Sequence, residues 1–159
     1  MEEKQVKKEE TLIICASYHH MNTMHICKKI AKILNAKIIE PKDFKEELLS
    51  SYELIGFGSG IYNGKHHSSL LDLANSLNKQ KNIKAFVFST ATIPVKSMHN
   101  AINQILINKG FEIIGQFSCK GFMTYGFTKY IFGGLNKGRP NEKDFANAIN
   151  FATNIKSQM

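Results

Sequence analysis

Thr11-Leu-Ile-Ile-Cys-Ala-Ser-Tyr-His-His-Met-Asn-Thr23 is the stretch that decides the fold. Residues 11–16 form a short continuous apolar run that breaks into a polar cluster, the pattern of a buried strand. From Asn22 to Leu34 the apolar residues Ile26, Cys27, Ile30, Ala31 and Leu34 recur at helical spacing, and Asn22 or Thr23 can cap that helix. A strand therefore passes through the polar loop Ser17–Thr23 straight into a helix. Backbone N–H groups at a helix start face whatever is bound there, and the helix dipole favours negative charge. The loop adds hydroxyls and an amide. Phosphate is the natural guest, and a capped helix start with nothing bound is the alternative.

Reading outward, strands and helices alternate. Ala36–Ile39 is a second strand, closed by Pro41, and Phe44–Leu49 reads as a helical turn or two. Tyr52–Gly58 is the third strand, followed by a Gly-rich loop, Gly58–His67, and a helix over Ser68–Leu77. Ile83–Phe88 is the fourth strand. Lys96–Asn108 is a helix that Gly110 ends, and Phe111–Phe117 is the fifth strand. A long loop, Ser118–Gly138, leads to a helix starting near Asn141. This order predicts an α/β domain with a parallel sheet and helices on both faces. Right-handed crossovers make it doubly wound, with ligands bound beyond the C-terminal strand ends. The loops after strands one, three, four and five are thus the places to search.

The bulk numbers agree. The 159 residues suit one domain over 11–159, preceded by a flexible tail over 1–10. Apolar residues at 43% and charged residues at 21% exclude wholesale disorder. No apolar run reaches the roughly 18–20 residues of a membrane span, so no membrane role and a cytoplasmic location are expected. The three cysteines, Cys15, Cys27 and Cys119, have no Cys-x-x-Cys spacing, which argues against a disulfide framework. Cys15 and Cys27 fall on apolar patterns and read as buried small hydrophobes. The net charge is +8, spread along the chain without an aromatic-interleaved basic motif. That excludes nucleic acid as the expected partner and leaves a lysine-rich solvated surface or an acidic partner.

The loop ending Asn22-Thr23 before a helix resembles the phosphate loop of flavodoxins, which ends Gly-Asn-Thr. The chain is also similar to a microbial group of short flavodoxin-family proteins with Ser-x-His-His-Gly-Asn-Thr there. Gly126 and the run Gly133-Gly-Leu-Asn-Lys-Gly-Arg-Pro-Asn-Glu-Lys-Asp144 resemble that group's closing loop and final helix entry. Gly58-Ser-Gly-Ile-Tyr62 and the strand order agree, so the likeness spans nearly the whole chain. It implies a flavodoxin-like five-stranded sheet in the order 2-1-3-4-5 and an FMN cofactor, its phosphate held by Ser17, His19, His20, Asn22 and Thr23. Met21 stands where the family has Gly. If that position needs a positive φ, Met strains the loop.

Within the same resemblance, Ser59, Gly60, Ile61 and Tyr62 are expected against the flavin, with Tyr62 as the aromatic wall. Thr90, Ala91 and Thr92 meet the polar edge of the ring. This loop, Ser89–Pro94, lacks the second stacking aromatic common in flavodoxins. The loop after strand five contributes Cys119, Gly121 and Tyr125, with Phe122 and Phe127 nearby. Its aromatics cover the flavin, form a partner surface or plug the sheet edge. Two other motifs fail. Gly56-Phe-Gly58 lacks the third glycine of a dinucleotide fingerprint, and Gly64-Lys65 lacks the opening Gly and the Ser/Thr of a phosphate-binding Walker loop. His19-His20 and His66-His67 lie on adjacent loops, but no carboxylate or cysteine completes a metal set at recognisable spacing, and no metal is expected.

The function expected is electron transfer through FMN to a redox partner that is acidic, with the protein a monomer or homodimer. No residue reads as a dedicated acid, base or nucleophile. The enzyme alternative is an NAD(P)H-dependent quinone or flavin reductase. A second alternative is a degenerate flavodoxin fold serving as a non-redox binding module, for which Met21 is the best support. A signalling receiver is excluded, because His19-His20 and Ser59-Gly60 stand where an acidic pair and a phosphorylatable Asp are needed.

Overall fold

A computed structural model describes residues 9–124 and 133–159. The elements are β1 (Glu9–Ala16), α1 (Asn22–Leu34), β2 (Lys37–Ile39), β3 (Tyr52–Tyr62), β4 (Lys65–His66), α2 (Ser68–Ser76), β5 (Ile83–Ala91), α3 (Asn100–Asn108), β6 (Phe111–Lys120) and α4 (Glu142–Ser157). Short 3-10 turns cover Pro41–Asp43, Glu46–Ser51 and Lys96–His99. The sheet runs β2-β1-β3-β5-β6. All four neighbour pairs on that path are parallel. These five strands stand in the expected order 2-1-3-4-5. The short β4 pairs antiparallel with β3 outside the path.

Alternation along each buried strand splits the core in two. Leu12, Ile14, Ile55, Phe57, Ala85 and Val87 face α2 and α3, where Leu70, Ala74, Ile102 and Leu106 meet them. Ile13, Cys15, Leu54, Phe86 and Phe88 face α1 and α4, against Ile26, Cys27, Ile30, Ala148, Ala152 and Ile155. Each fully buried Ile, Leu or Phe contributes roughly 1.5–3 kcal/mol from transfer alone. Gly56 and Gly58 lie beside Phe86 and Phe88 in the β3–β5 register. A Cβ at Gly58 would come within 2.1 Å of the Phe88 ring, so glycine is what lets that ring cross the neighbouring strand. The two glycines thus pack the core and do not mark a dinucleotide loop.

Several strand ends extend past the apolar runs. Glu9 and Glu10, expected in the tail, open β1, where Glu9 registers with Tyr52. β3 continues through Ser59 to Tyr62, so the expected open loop Gly58–His67 is a hairpin. Its turn is Asn63-Gly64, with φ of 52° and 79°. A type I′ turn requires both values to be positive, and Asn-Gly supplies them. β5 and β6 likewise run on to Ala91 and Lys120. These extensions carry polar side chains to the C-terminal edge of the sheet. α4 starts as expected, with Asn141 and Asp144 forming a reciprocal capping box.

Candidate functional site

A cleft of about 610 Å³ opens at the C-terminal ends of the parallel strands. Cofactor pockets span roughly 300–1,000 Å³. Its walls come from the segments after β1, β3, β5 and β6. Of the residues the sequence singled out, the cleft brings together Ser17, His19, His20, Asn22, Thr23, Gly60, Ile61, Tyr62, Thr90, Ala91, Thr92 and Gly121. Sequence reasoning missed Tyr18, Asn63, Gly64, Ile93, Met98, Met123 and Thr124, which also line it. Tyr125 lies outside the described residues, as do Gly126 and Phe127.

The segment from Ser17 to Thr23 differs in detail from expectation. Neither Asn22 nor Thr23 caps α1. Met21 occupies the cap position in a left-handed conformation, φ 53° and ψ 25°, with no side-chain cap bond. His20 has φ 51°. Ser17 Oγ instead accepts from the Met24 N–H at 3.1 Å. Thr23 is buried, and its Oγ1 lies 2.8 Å from Thr90 Oγ1, tying the helix start to the end of β5. Asn22 Nδ2 donates to the Phe122 carbonyl at 2.7 Å. The side chains of Asn22 and Thr23 are therefore engaged with protein. What the segment leaves open is backbone. The N–H groups of Tyr18, His19, His20, Met21 and Thr23 have no partner among the described residues.

Tyr62 forms one wall. A Cβ at Gly60 would sit 3.3 Å from the Tyr62 ring, which therefore folds back across the backbone beneath it. His67 meets this ring edge-on at 5.1 Å, His19 lies at 5.7 Å, and exposed Tyr18 packs on His67 at 4.7 Å. Burial raises the Tyr62 hydroxyl above its ordinary value, with Tyr18 adding to it, so the phenol stays neutral. The segment after β5 presents Ile93, 69% exposed, in place of an aromatic. The segment after β6 is strapped to both neighbours. His20 Nε2 lies 2.7 Å from Thr124 Oγ1 and its ring packs on Phe122 at 4.6 Å. Asn136 Nδ2 donates to the Thr92 carbonyl at 2.7 Å and the Gly121 carbonyl at 3.3 Å. Met123 and Leu135 pair backbone to backbone at its base.

Two expected site residues do not reach the cleft. Ser59 follows Ile55 and Phe57 on the α2/α3 face, so the pleat turns it into the interior. Its hydroxyl is bonded to Gly60 O and His66 Nδ1. Cys119 points into the core beside α1 and α4. Burial, with the Asp144 charge adding, pushes its thiol up to about 12. His66 is buried as well. Burial and then the nearby His99 lower it to about 3, and burial lowers His99 too.

No acidic side chain is among the described residues lining the cleft. Unpaired N–H groups and the N-terminus of α1 act on its contents without an opposing carboxylate, which suits an anion. Among the described residues no helix is long and apolar enough to cross a membrane.

Comparison with known proteins places the family and the fold. A family model described as a flavodoxin domain matches residues 12–116. An uncharacterized protein of Methanocaldococcus jannaschii is 49% identical over 148 residues, covering 92% of this chain and 97% of its own. Among solved structures, oxidised flavodoxin 2 of Bacillus cereus superposes with a TM-score of 0.72 at 18% identity, covering 94% of this chain and 99% of that one. A Fusobacterium nucleatum flavodoxin bound to flavin mononucleotide gives 0.65 at 16% identity, covering 94% and 98%.

Proposed function

The chain belongs to the flavodoxin-domain family, and from that premise we propose that its cleft binds FMN and that it carries electrons to an acidic redox partner. The observation that carries this reading is the set of backbone N–H groups at Tyr18, His19, His20, Met21 and Thr23 without a partner among the described residues, at a helix N-terminus in a cleft whose described lining holds no acidic side chain. That donor set fits a phosphate monoester. Thr23 would serve it through its backbone N–H, and Asn22 and Thr23 hold the segment's shape, since their side chains bond to Phe122 and Thr90. Tyr62, with Gly60 and Ile61, would hold one face of the ring, and Thr90, Ala91 and Thr92 its polar edge. FMN supplies reversible electron chemistry through its ring system when bound. The protein's part is to orient the ring, shield it and set its potential by neutral contacts.

The test is direct. Purified protein should be yellow and release FMN on heating, and apo-protein should take up added FMN at micromolar concentration. No uptake under those conditions removes the proposal and leaves the non-redox binding module. Ile93 favours one second reading, because an aliphatic side chain there leaves room for a nicotinamide beside the flavin. Stopped-flow mixing with NADPH decides it: absence of direct flavin bleaching removes the reductase.

A further inference from the structure

Ser59 and Ser89 stand opposite each other in the β3–β5 register, both buried on the face toward α2 and α3. Each meets a histidine. Ser59 Oγ lies 2.8 Å from His66 Nδ1, and Ser89 Oγ lies 2.7 Å from His99 Nε2. The two imidazoles pack at 5.1 Å. His99 Nδ1 meets Gln116 Oε1 at 3.1 Å. A polar layer spanning four strands thus adjoins the cleft, since Ser59 and Ser89 directly precede its lining residues Gly60 and Thr90, and the FMN reading assigns it no task.

Hydrogen counting fixes its arrangement. Ser59 Oγ contacts Gly60 O at 2.7 Å and receives the His67 N–H at 3.0 Å. A carbonyl only accepts, so the single hydroxyl hydrogen goes to Gly60. Ser59 must then accept from His66, which places the His66 proton on Nδ1. His66 Nε2 is left as a bare acceptor, and it is indeed buried with no partner among the described residues. Ser59 is the hub of three bonds. Two of them hold the backbone on either side of Tyr62: the carbonyl of Gly60, the residue whose Cα the Tyr62 ring folds across, and the N–H of His67, whose imidazole meets that ring edge-on.

We propose that Ser59 and His66 are positioning residues that set the Tyr62 wall of the cleft through the Gly60 carbonyl and the His67 N–H. The ligand-binding half of the test rests on the FMN reading; the other half does not. Asn carries its amide N–H near the place of Nδ1, whereas Gln reaches the place of Nε2. Imidazole ¹⁵N shifts and Tyr62 ring proton shifts are measured in the apo-protein, and FMN affinity in parallel, for wild type, Ser59→Ala, His66→Asn and His66→Gln.

Expected are the Nδ1–H tautomer for His66, displaced Tyr62 resonances in Ser59→Ala and His66→Gln, and FMN binding weakened about tenfold in both, the loss of roughly one hydrogen bond. His66→Asn should stay within about twofold of wild type with Tyr62 in place. An Nε2–H tautomer, indistinguishable Asn and Gln variants, or unmoved Tyr62 resonances would overturn the assignment. A wild type that takes up no FMN while the tautomer and Tyr62 shifts come out as expected overturns the FMN reading and supports the positioning role.

Discussion

Asn22 Nδ2 donates to the Phe122 carbonyl at 2.7 Å, and the same nitrogen lies 2.8 Å from where a Cβ on Gly121 would stand. One amide thus joins the start of α1 to the segment after β6 and uses the space that glycine leaves. Asn22→Ala leaves the Phe122 carbonyl unpaired and should cost about 1–2 kcal/mol in urea unfolding. Gly121→Ala should destabilise the wild type but cost clearly less in the Asn22→Ala background, because the clash partner has gone. A double-mutant cycle reads that coupling, and simple additivity of the two costs would show that the contact does not hold the segments together.

Met21 holds φ 53° and is 44% exposed. A non-glycine residue in this conformation costs about 1–2 kcal/mol, and so exposed a side chain has little packing to lose. Glycine relieves the strain and gives back part of the gain as unfolded-state entropy. Met21→Gly should therefore stabilise the protein by about 1 kcal/mol and bind FMN at least as tightly. A loss of stability would mean that Met21 contributes packing that outweighs its strain.

His66 and Asp144 act on different parts of the acid limb of stability, with His99 adding to the His66 range. His66 titrates ordinarily at 6.5 and at about 3 when folded. Protons bind the unfolded chain first, so the contribution is full above pH 6.5 and declines as pH falls toward 3. His66→Asn should flatten the stability profile across that window. Asp144 sits lower. Burial alone would raise it, but bidentate hydrogen bonds from Arg139 at 2.6 and 2.7 Å, the Asn141 N–H and the Arg139 charge together hold it below 3.8. A depressed carboxyl stabilises above its ordinary value and loses that contribution as pH falls through its folded value. Asp144→Asn should remove this carboxyl's share of the slope below about pH 4 and leave the profile between about pH 5 and 6.5 unchanged.

The fold was legible because parallel strands buried on both faces read as continuous apolar runs. Leu12–Cys15 and Phe86–Phe88 announce themselves without any partner in view. What escaped was where those strands stop. Ser59, Gly60, Ser89, Thr90 and Cys119 continue the ladder through residues that read as loop, because ladder bonds are made by backbone and tolerate polar side chains. Two signals were available. Asn63-Gly64 is the turn chemistry of a hairpin, and period two from Ile55 and Phe57 already points Ser59 inward. The engagement of Asn22 with Phe122 was not legible, since it joins residues 100 apart. Met21 was: its left-handed backbone is what a residue standing in a glycine position implies.

Thiol chemistry checks the inward placement of the cysteines. Cys15 and Cys27 are fully buried, and Cys119 is 7% exposed with its thiol at about 12. The thiolate is the reactive form. Native protein should consume almost no aromatic disulfide reagent over minutes, while unfolded protein should consume three equivalents, one per cysteine. Cys119→Ala should leave FMN affinity within about twofold, and a larger change would return this residue to the cleft wall.

The acidic-partner proposal makes its own demand on ionic strength. The formal net charge is +8. Exposed Tyr18, Met21, Ile93 and Val95 lie in the segments that bound the cleft or next to them, with exposed Lys65 and Lys96 beside them. Exposed apolar side chains at a cleft rim contribute contact, and the lysines contribute steering of an opposite charge. Steering acts over the Debye length, about 8 Å at 0.15 M salt and about 30 Å at 0.01 M. The second-order rate of electron transfer to an acidic iron–sulfur protein should therefore fall steeply as salt rises, and a basic acceptor should show the opposite trend. Lys65→Glu with Lys96→Glu should reduce the slope for the acidic acceptor and leave FMN affinity unchanged. Equal slopes for acidic and basic acceptors would leave the charge without a role in partner choice.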